Sequence, residues 1–187
     1  MASTIGSHAP GVRGGMTNDT KPTDRDAGYA ALTGTFLVGA GAAIFGLERK
    51  GRLPEQIPAS DLALLGIATY QLSRTLTRDR VTAFLRRPFA EEQGPAGRGE
   101  VKSEPRGTGL RRAIGELMIC PFCMTQWVAG ATLASLCVAP RTTRFAAGVL
   151  AVRTVAEIAN IAHEGAVAEV DRMQKVSKLV PKPSKAA

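Results

Sequence analysis

Two cysteines separated by a proline and a phenylalanine form the motif in this sequence that has the clearest chemistry. Cys120 and Cys123 stand directly before a long apolar stretch, and no charged residue occurs between positions 117 and 140. If that stretch is a helix, the thiols lie at its N-terminus, where free backbone N–H groups and the helix dipole stabilise a thiolate. Arg111 and Arg112 would add to this effect if the chain folds back. The pair is therefore a candidate thiol site.

Three uses of this pair remain open: a reactive dithiol, a metal site, or small packing residues at a helix start. A structural zinc ion needs four ligands as a rule, and two sulfurs supply half of them. Cys137 is fourteen residues further on, and His163 would still leave the site without a clear fourth ligand. Only two copies sharing their cysteine pairs would complete such a set, so we predict no metal ion and no cofactor in the single chain.

The Cys-Pro-Phe-Cys spelling is also that of a glutaredoxin active site, but a thioredoxin-like fold needs strands around the motif. Here an uncharged apolar segment follows it directly. The sequence shows no phosphate-binding loop, nucleophile elbow or His-x-x-x-His pair. No catalytic residue is assigned, and the sequence does not favour an enzyme.

A second group of polar residues lies within the last apolar segment. Its members are spaced four, three and four apart, which places them on one stripe of a helix. In lipid such a stripe must face protein or water, and an Arg–Glu pair one turn apart can form an ion pair. The alternative is an amphipathic helix lying on the membrane surface. The stripe consists of Arg153, Glu157, Asn160 and Glu164.

The elements that position these residues are apolar segments long enough to cross a hydrocarbon core of about 30 Å. We therefore predict an all-α, multi-pass transmembrane helical bundle of four spans, with three spans as the alternative. The second segment is short for a span, because its fully apolar part has only about eleven residues. The spans are expected near residues 27–47, 60–76, 117–139 and 145–165.

The remaining segments are polar. Residues 1–26 have the composition of a disordered tail, since they cannot bury enough apolar surface to offset the entropy of ordering. The first transmembrane helix belongs to residues 27–50, and residues 60–167 form the core of the chain. Residues 91–109 alternate Gly, Pro and charged residues and are predicted to be a flexible loop. Residues 168–187 are a Lys-rich tail that we expect to be mobile.

The basic residues explain the net charge of +8. They flank the apolar segments without any nucleic-acid-binding motif, so we predict membrane lipids as partners and no nucleic acid. The loop 77–115 is rich in arginine, and the positive-inside rule places it in the cytoplasm with both termini. A single amphipathic helix is expected from Asp61 to about Arg87, ended by Pro88. Its candidate lipid contacts are Arg74, Arg78, Arg80, Arg86 and Arg87.

Three stretches together resemble a known family. They are the run from Gly115 to Trp127 with its two cysteines, the run from Ala68 to Asp79, and the run from Leu85 to Phe89. The chain resembles the small bacterial membrane proteins grouped as domain of unknown function 1360, which include a Bacillus sporulation-associated membrane protein. The resemblance covers about residues 60–165 and implies a multi-pass helical membrane protein without an assigned activity. Gln71 stands where a basic residue is expected.

These features favour a small structural or interaction component of the bacterial inner membrane, as a homo-oligomer or with another membrane protein. The alternative is a membrane thiol module, redox-active or metal-binding, that uses Cys120 and Cys123. A small pore or holin-like protein is the third hypothesis, based only on size and span count.

Overall fold

The computed structural model describes residues 22–97 and 99–179, and this part of the chain is mostly helical. It contains six α-helices and one antiparallel β-hairpin. The helices are α1 (Pro22–Arg49), α2 (Ala59–Arg78), α3 (Ala83–Arg86), α4 (Gly109–Ile119), α5 (Pro121–Val138) and α6 (Pro140–Leu179), and the strands are β1 (Ala90–Gly97) and β2 (Glu100–Pro105).

The four long helices run in alternating directions. The start of α1 packs on α4, where Gly28 lies against Gly109 and Ala113. Helix α2 runs antiparallel to α5, and the hydroxyl groups of Thr69 and Thr132 hydrogen-bond between them at 3.2 Å. Helices α2, α5 and α6 meet in a small apolar core of Leu65, Ala68, Leu136 and Ala147. The bundle thus has one end at the hairpin, called the hairpin end below, and one opposite end.

Three of the helices are long and apolar enough to cross a membrane: Asp24–Arg49, Pro121–Val138 and Pro140–Lys175. Few of their residues are buried inside the protein. Large apolar side chains point outward from all three, which is typical of a surface covered by lipid or by another protein. Examples are Leu37, Val38, Phe45, Phe122, Leu133, Phe145 and Val152. These helices match three of the predicted spans; the four-span count stays a prediction, because α2 is not among them.

Helix α2 lies at the centre of the bundle and buries mainly polar side chains. Asp61, Thr69, Gln71, Ser73 and Thr77 are all less than one-tenth exposed. Because α2 packs on α5, α6 and α4 together, these side chains face neighbouring helices. Buried polar groups of this kind need hydrogen-bond partners, and most of them find one on α5 or α6. The polar composition of α2 therefore reflects its central position.

The prediction of a flexible loop over 91–109 is wrong, because this mostly helical protein has a small two-stranded sheet there. Strands β1 and β2 pair antiparallel, with Ala90 opposite Pro105 and Glu92 opposite Ser103. Gly97 and Gly99 have φ angles of 95° and 83°, which glycine adopts without strain at a tight turn. The sequence hides this hairpin because its residues do not alternate apolar with polar, the usual sign of a half-buried strand.

Three predicted helix bounds also change. The single helix expected to run from Asp61 to Arg87 is broken, because the backbone at Asp79 is extended (φ −66°, ψ 144°) and a 3-10 turn precedes α3. Residues 22–26 belong to α1 rather than to a disordered tail, and residues 168–179 continue α6 rather than forming a mobile segment. Residues 1–21 and 180–187, the rest of those two predicted tails, lie outside the described residues.

Candidate functional site

The two thiols occupy the junction between α4 and α5. Cys120 ends α4 and is the N-cap of α5, with Pro121 in the first turn as helix geometry favours. The backbone N–H of Cys123 donates to Cys120 Sγ at 3.3 Å. The predicted position of the pair at a helix N-terminus is confirmed.

The sulfur atoms themselves are in contact. The Cys123 thiol donates to Cys120 Sγ at 2.7 Å, and both cysteines are free. A disulfide bond has an S–S distance of about 2.05 Å, so the two sulfurs would have to approach by less than about 1 Å to form one. Cys123 is exposed and Cys120 half-buried. The arrangement is therefore that of an accessible, reduced dithiol.

The upstream arginines do not reach the thiols, contrary to the effect considered from the sequence. Arg111 donates to the carbonyl oxygen of Pro88 at 2.7 and 3.2 Å. Arg112 Nε donates to Glu116 Oε1 at 3.1 Å, and Arg25 Nη2 donates to the same oxygen at 3.3 Å. The guanidinium groups of Arg112 and Arg25 thus share Glu116, whose other oxygen accepts a hydrogen bond from the hydroxyl of Tyr29. The thiol pair therefore has an apolar setting, with the ion-paired Glu116 beside it.

A cavity of about 630 Å³ opens beside the thiols, between α1, α4 and α5. Both cysteines line it, together with Glu116 and with apolar side chains such as Phe36 and Trp127. The rings of Phe36 and Trp127 pack edge to face, with centroids 5.3 Å apart and an interplanar angle of 69°.

On the far side of this ring pair, a second cavity of about 450 Å³ continues between α1 and α5. It reaches Cys137, near the end of α5. Its walls are almost entirely apolar, and small residues such as Gly39 and Ala131 line it. We call the two cavities together the α1–α5 groove.

The predicted polar stripe contributes two residues to an ion-pair cluster at the hairpin end. Arg153 Nη2 lies 2.6 Å from Asp79 Oδ2 and 3.2 Å from Glu157 Oε1. The predicted pairing of Arg153 with Glu157 across one helical turn is confirmed. Glu157 also pairs with Arg74 at 3.3 Å, and Arg74 Nη2 lies 2.5 Å from Glu100 Oε1 on the hairpin. The cluster therefore joins α2, α6 and the hairpin.

The other two stripe residues are not part of the cluster. Asn160 and Glu164 lie further along α6, where every described side chain is exposed. Gln71 was missed as a member: it is 0% exposed, and its amide nitrogen donates to Glu157 Oε1 at 3.1 Å. Its carbonyl oxygen accepts from the hydroxyl of Thr154 at 3.2 Å. The sequence did contain one signal, since Gln71 stands where a basic residue is expected.

Arg86 is not a lipid contact, and this prediction is wrong. Its side chain is 1% exposed, and Nη1 donates to the carbonyl oxygen of Leu76 at 2.7 Å and to Thr82 Oγ1 at 2.9 Å. Nη2 donates to the carbonyl oxygen of Asp79 at 3.0 Å. Burial lowers the pKa of Arg86, while the nearby carboxylates of Glu92 and Asp79 act in the opposite direction. The guanidinium holds the broken end of α2 together.

The other predicted lipid contacts divide into two groups. Arg74 is held between Glu100 and Glu157 and is not free for a headgroup. Arg78, Arg80 and Arg87 are exposed, and the side chain of Arg87 is 71% exposed beside Glu92 at 3.5 Å. For these three the lipid-contact prediction remains open. Within residues 22–97 and 99–179, no group of three or more His, Cys, Asp and Glu side chains is placed to hold a metal ion.

The fold is a bundle of long helices, three of them long and apolar enough to cross a membrane and carrying exposed apolar side chains. The thiol pair lies at the start of one of these helices, and ion pairs join the helices to one another. The chain belongs to the family "Protein of unknown function (DUF1360)", whose model matches residues 64–163. The resemblance seen in the sequence is confirmed.

One curated relative is the sporulation protein YjcA of Bacillus subtilis (strain 168). It is 34% identical over 100 residues, which cover 52% of this chain and 85% of the relative. No solved structure matches the chain significantly. The region matched by the family model includes the bundle core and both cysteines of the thiol pair, whereas α1 precedes it.

Proposed function

We propose that this protein is a four-span component of the bacterial inner membrane, with α2 as the second span. The alternating direction of the four long helices is the observation that carries the proposal. Because α2 turns its polar residues toward α5 and α6, its outer face is left to apolar side chains such as Leu62, Ile67 and Tyr70, all about half exposed. A helix buried in this way can cross a bilayer with a more polar composition than a lipid-surrounded one.

The proposed orientation places the hairpin end in the cytoplasm. Exposed arginines are more numerous there than at the opposite end, which has Arg49, Arg52, Arg141 and Arg144. The positive-inside rule puts the more basic segments on the cytoplasmic side. With four alternating spans, the start of α1 and the end of α6 then share that side. In this orientation Arg78, Arg80 and Arg87 are the proposed contacts for anionic headgroups, each such contact being worth about 1 kcal/mol. The exposed arginines at this end include Arg25, Arg78, Arg80, Arg87, Arg106 and Arg111.

The activity that fits this arrangement is structural: a small membrane component that holds a basic cytoplasmic surface against lipid and presents it to a partner protein. The hairpin supports this proposal, since it is fixed to α2 by the Arg74–Glu100 ion pair and by a hydrogen bond from Arg80 N–H to Gly99 carbonyl oxygen at 2.9 Å. The basic surface is thereby carried on an ordered element.

Labelling of single cysteines tests the topology. In a background without the three native cysteines, Glu55→Cys lies in the connector before α2, and Glu104→Cys lies on the hairpin after it; both positions are exposed. We expect a membrane-impermeant maleimide to label Glu55→Cys in intact spheroplasts and Glu104→Cys only in inverted vesicles. If both label from the same side, α2 does not cross the membrane and the four-span proposal fails.

A second candidate function is a membrane dithiol module. The contact between Cys120 Sγ and Cys123 Sγ at 2.7 Å favours it, since packing cysteines have no need to meet. A mild water-soluble oxidant such as diamide should convert the pair to a disulfide, with the loss of two titratable thiols per chain while Cys137 stays reduced. If the three thiols react independently, the dithiol candidate should be abandoned.

A further inference from the structure

We propose that the Cys120–Cys123 dithiol passes two electrons to a membrane quinone that occupies the α1–α5 groove. This inference rests on the dithiol candidate above and adds the chemical class of its partner. Thiol chemistry and a lipid-accessible cavity occur at the same place: both cysteines line the 630 Å³ cavity, and Gln126 and Trp127 of the same helix line it as well.

The cavity beside the thiols suits a ring with polar oxygens. Phe36 and Trp127 offer aromatic faces and edges at its inner wall. Gln126, which is exposed, provides a donor along its rim, as do the N–H groups of Arg25 that do not pair with Glu116. A flat ring with two carbonyl oxygens meets both conditions, since it stacks on aromatic groups and accepts hydrogen bonds.

The remainder of the groove suits a hydrocarbon tail. Beyond the ring pair, the 450 Å³ cavity runs along α1 and α5 to Cys137 and offers almost no polar surface. Small residues make its walls: Gly39 and Ala40 on α1, Ala131 and Ala134 on α5. Gly39 and Leu133 are exposed, so the groove opens sideways to where the bilayer is proposed to be. A tailed molecule can therefore enter from the membrane.

The dithiol favours a quinone over an ordinary lipid as the occupant of the groove. A phospholipid would fill the groove, but it cannot take electrons from a thiol pair. With a quinone the reaction balances: two S–H bonds break, one S–S bond forms, and two electrons and two protons convert both ring carbonyls to hydroxyl groups. The product is one disulfide and one quinol. No metal ion and no further reactant is required.

Binding can be followed through Trp127, the single tryptophan of the chain. The probe is a fully substituted benzoquinone with a short isoprenoid tail, because a ring without free positions does not add to thiols. We expect it to quench Trp127 fluorescence saturably in detergent-purified full-length protein, beyond the background from a tryptophan ester in the same micelles. Cys120→Ser with Cys123→Ser should still show this quenching, because binding does not need the thiols.

A variant that blocks the groove, compared with a matched control on the same helix, tests where the quinone binds. Gly39→Leu puts a side chain into the groove, whereas Gly41→Leu, two residues along α1, does not line it. A Cβ at either position meets no atom within 4 Å, so both variants should fold. We expect Gly39→Leu to raise the half-quenching concentration at least about tenfold, which corresponds to about 1.4 kcal/mol, and Gly41→Leu to leave it unchanged.

Electron transfer is read in a single turnover without added reductant. For the native protein and for Cys137→Ser, we expect one quinol to form and two thiols to be lost per chain. For Cys123→Ser, we expect neither quinol formation nor thiol loss. If diamide forms the disulfide but the quinone does not, the dithiol module stands and the quinone inference is overturned. If neither oxidant forms it, both are overturned. Equal quenching in Gly39→Leu and Gly41→Leu would also overturn the groove as the binding site.

Discussion

Asp61 at the start of α2 and Arg144 near the start of α6 form a two-bond ion pair at the opposite end of the bundle. Arg144 Nε donates to Oδ1 at 2.9 Å, and Nη2 donates to Oδ2 at 2.7 Å. This fork-to-fork geometry is specific to arginine and carboxylate. Because the ion-pair cluster joins the same two helices at the hairpin end, α2 is fixed to α6 at both ends, and their relative rotation is set by charge.

The Asp61–Arg144 pair should be needed for stability in detergent. Asp61→Asn should lower the melting temperature of the purified protein by several degrees, because the guanidinium loses its charged partner. Arg144→Lys should lower it too, since an ammonium cannot make both bonds. The exchange of the two residues, Asp61→Arg with Arg144→Asp, should recover part of the loss. If the exchanged protein melts as low as the single variants, the Asp61–Arg144 pair is not the cause of their lower melting temperatures. Arg141→Ala, at an exposed position, serves as the control.

Two neighbouring arginines should behave differently. Arg86→Gln should reduce the free energy of unfolding by about 3 kcal/mol, because it removes three charged hydrogen bonds and leaves the carbonyl groups of Leu76 and Asp79 without their donor. Arg87→Gln should change it by less than about 0.5 kcal/mol, since that side chain is exposed. Denaturant titration in micelles measures both. Equal effects would mean that burial of Arg86 does not support the fold.

Close packing between α4 and the hairpin should make Gly115 irreplaceable. A Cβ at this position would lie 2.5 Å from the carbonyl oxygen of Phe89 and 3.0 Å from Pro105 Cβ. Gly115→Ala should therefore cost about 1–3 kcal/mol through overpacking. Gly66→Ala on α2, where a Cβ meets nothing within 4 Å, should be neutral or slightly stabilising because alanine favours a helix. Thermal melts of the two variants side by side decide the matter, and the prediction fails if Gly115→Ala is tolerated as well.

The hairpin should loosen when its ion pair with α2 is removed. Glu100 accepts from Arg74 Nε at 3.0 Å and from Nη2 at 2.5 Å, and both side chains are partly exposed. Glu100→Gln should weaken the attachment by about 1 kcal/mol, which corresponds to roughly fivefold faster amide exchange in residues 90–105. Glu104→Gln, an exposed position on the same strand, provides the comparison in hydrogen-exchange mass spectrometry. Unchanged exchange after Glu100→Gln would indicate that backbone contacts alone hold the hairpin.

The parts of this fold that the sequence predicts are those set by local composition. Long apolar segments predict α1, α5 and the first half of α6, because a helix satisfies its own backbone and needs only apolar side chains outside. The position of Cys120 and Cys123 at a helix start follows from the same segment boundary. The pairing of Arg153 with Glu157 follows from their spacing of four residues along one helix.

The unpredicted parts depend on residues far apart in the chain. The hairpin draws its stability from contacts of β1 and β2 with α4, as where Gly115 of α4 packs against Pro105 at the end of β2. Asp79 ends α2 and binds Arg153, which is 74 residues further on. An arginine-rich segment predicts a solvated face, and only the break after Arg78 turns Arg86 inward. The spacing of apolar residues within a segment does not indicate which distant residues that segment contacts.

Helix α6 continues well past the ion-pair cluster, and this length has a mechanical consequence. From Glu157 to Leu179 it extends by 22 residues, or about 33 Å at the usual rise per residue. In the proposed orientation it forms a stiff arm whose tip stands about one bilayer thickness from the cluster. A push or twist applied at that tip would act as a lever on Arg153 and Glu157, and through them on Asp79 and Arg74 of α2. If the proposed orientation is right, a partner bound at the tip could act on the bundle without entering the membrane.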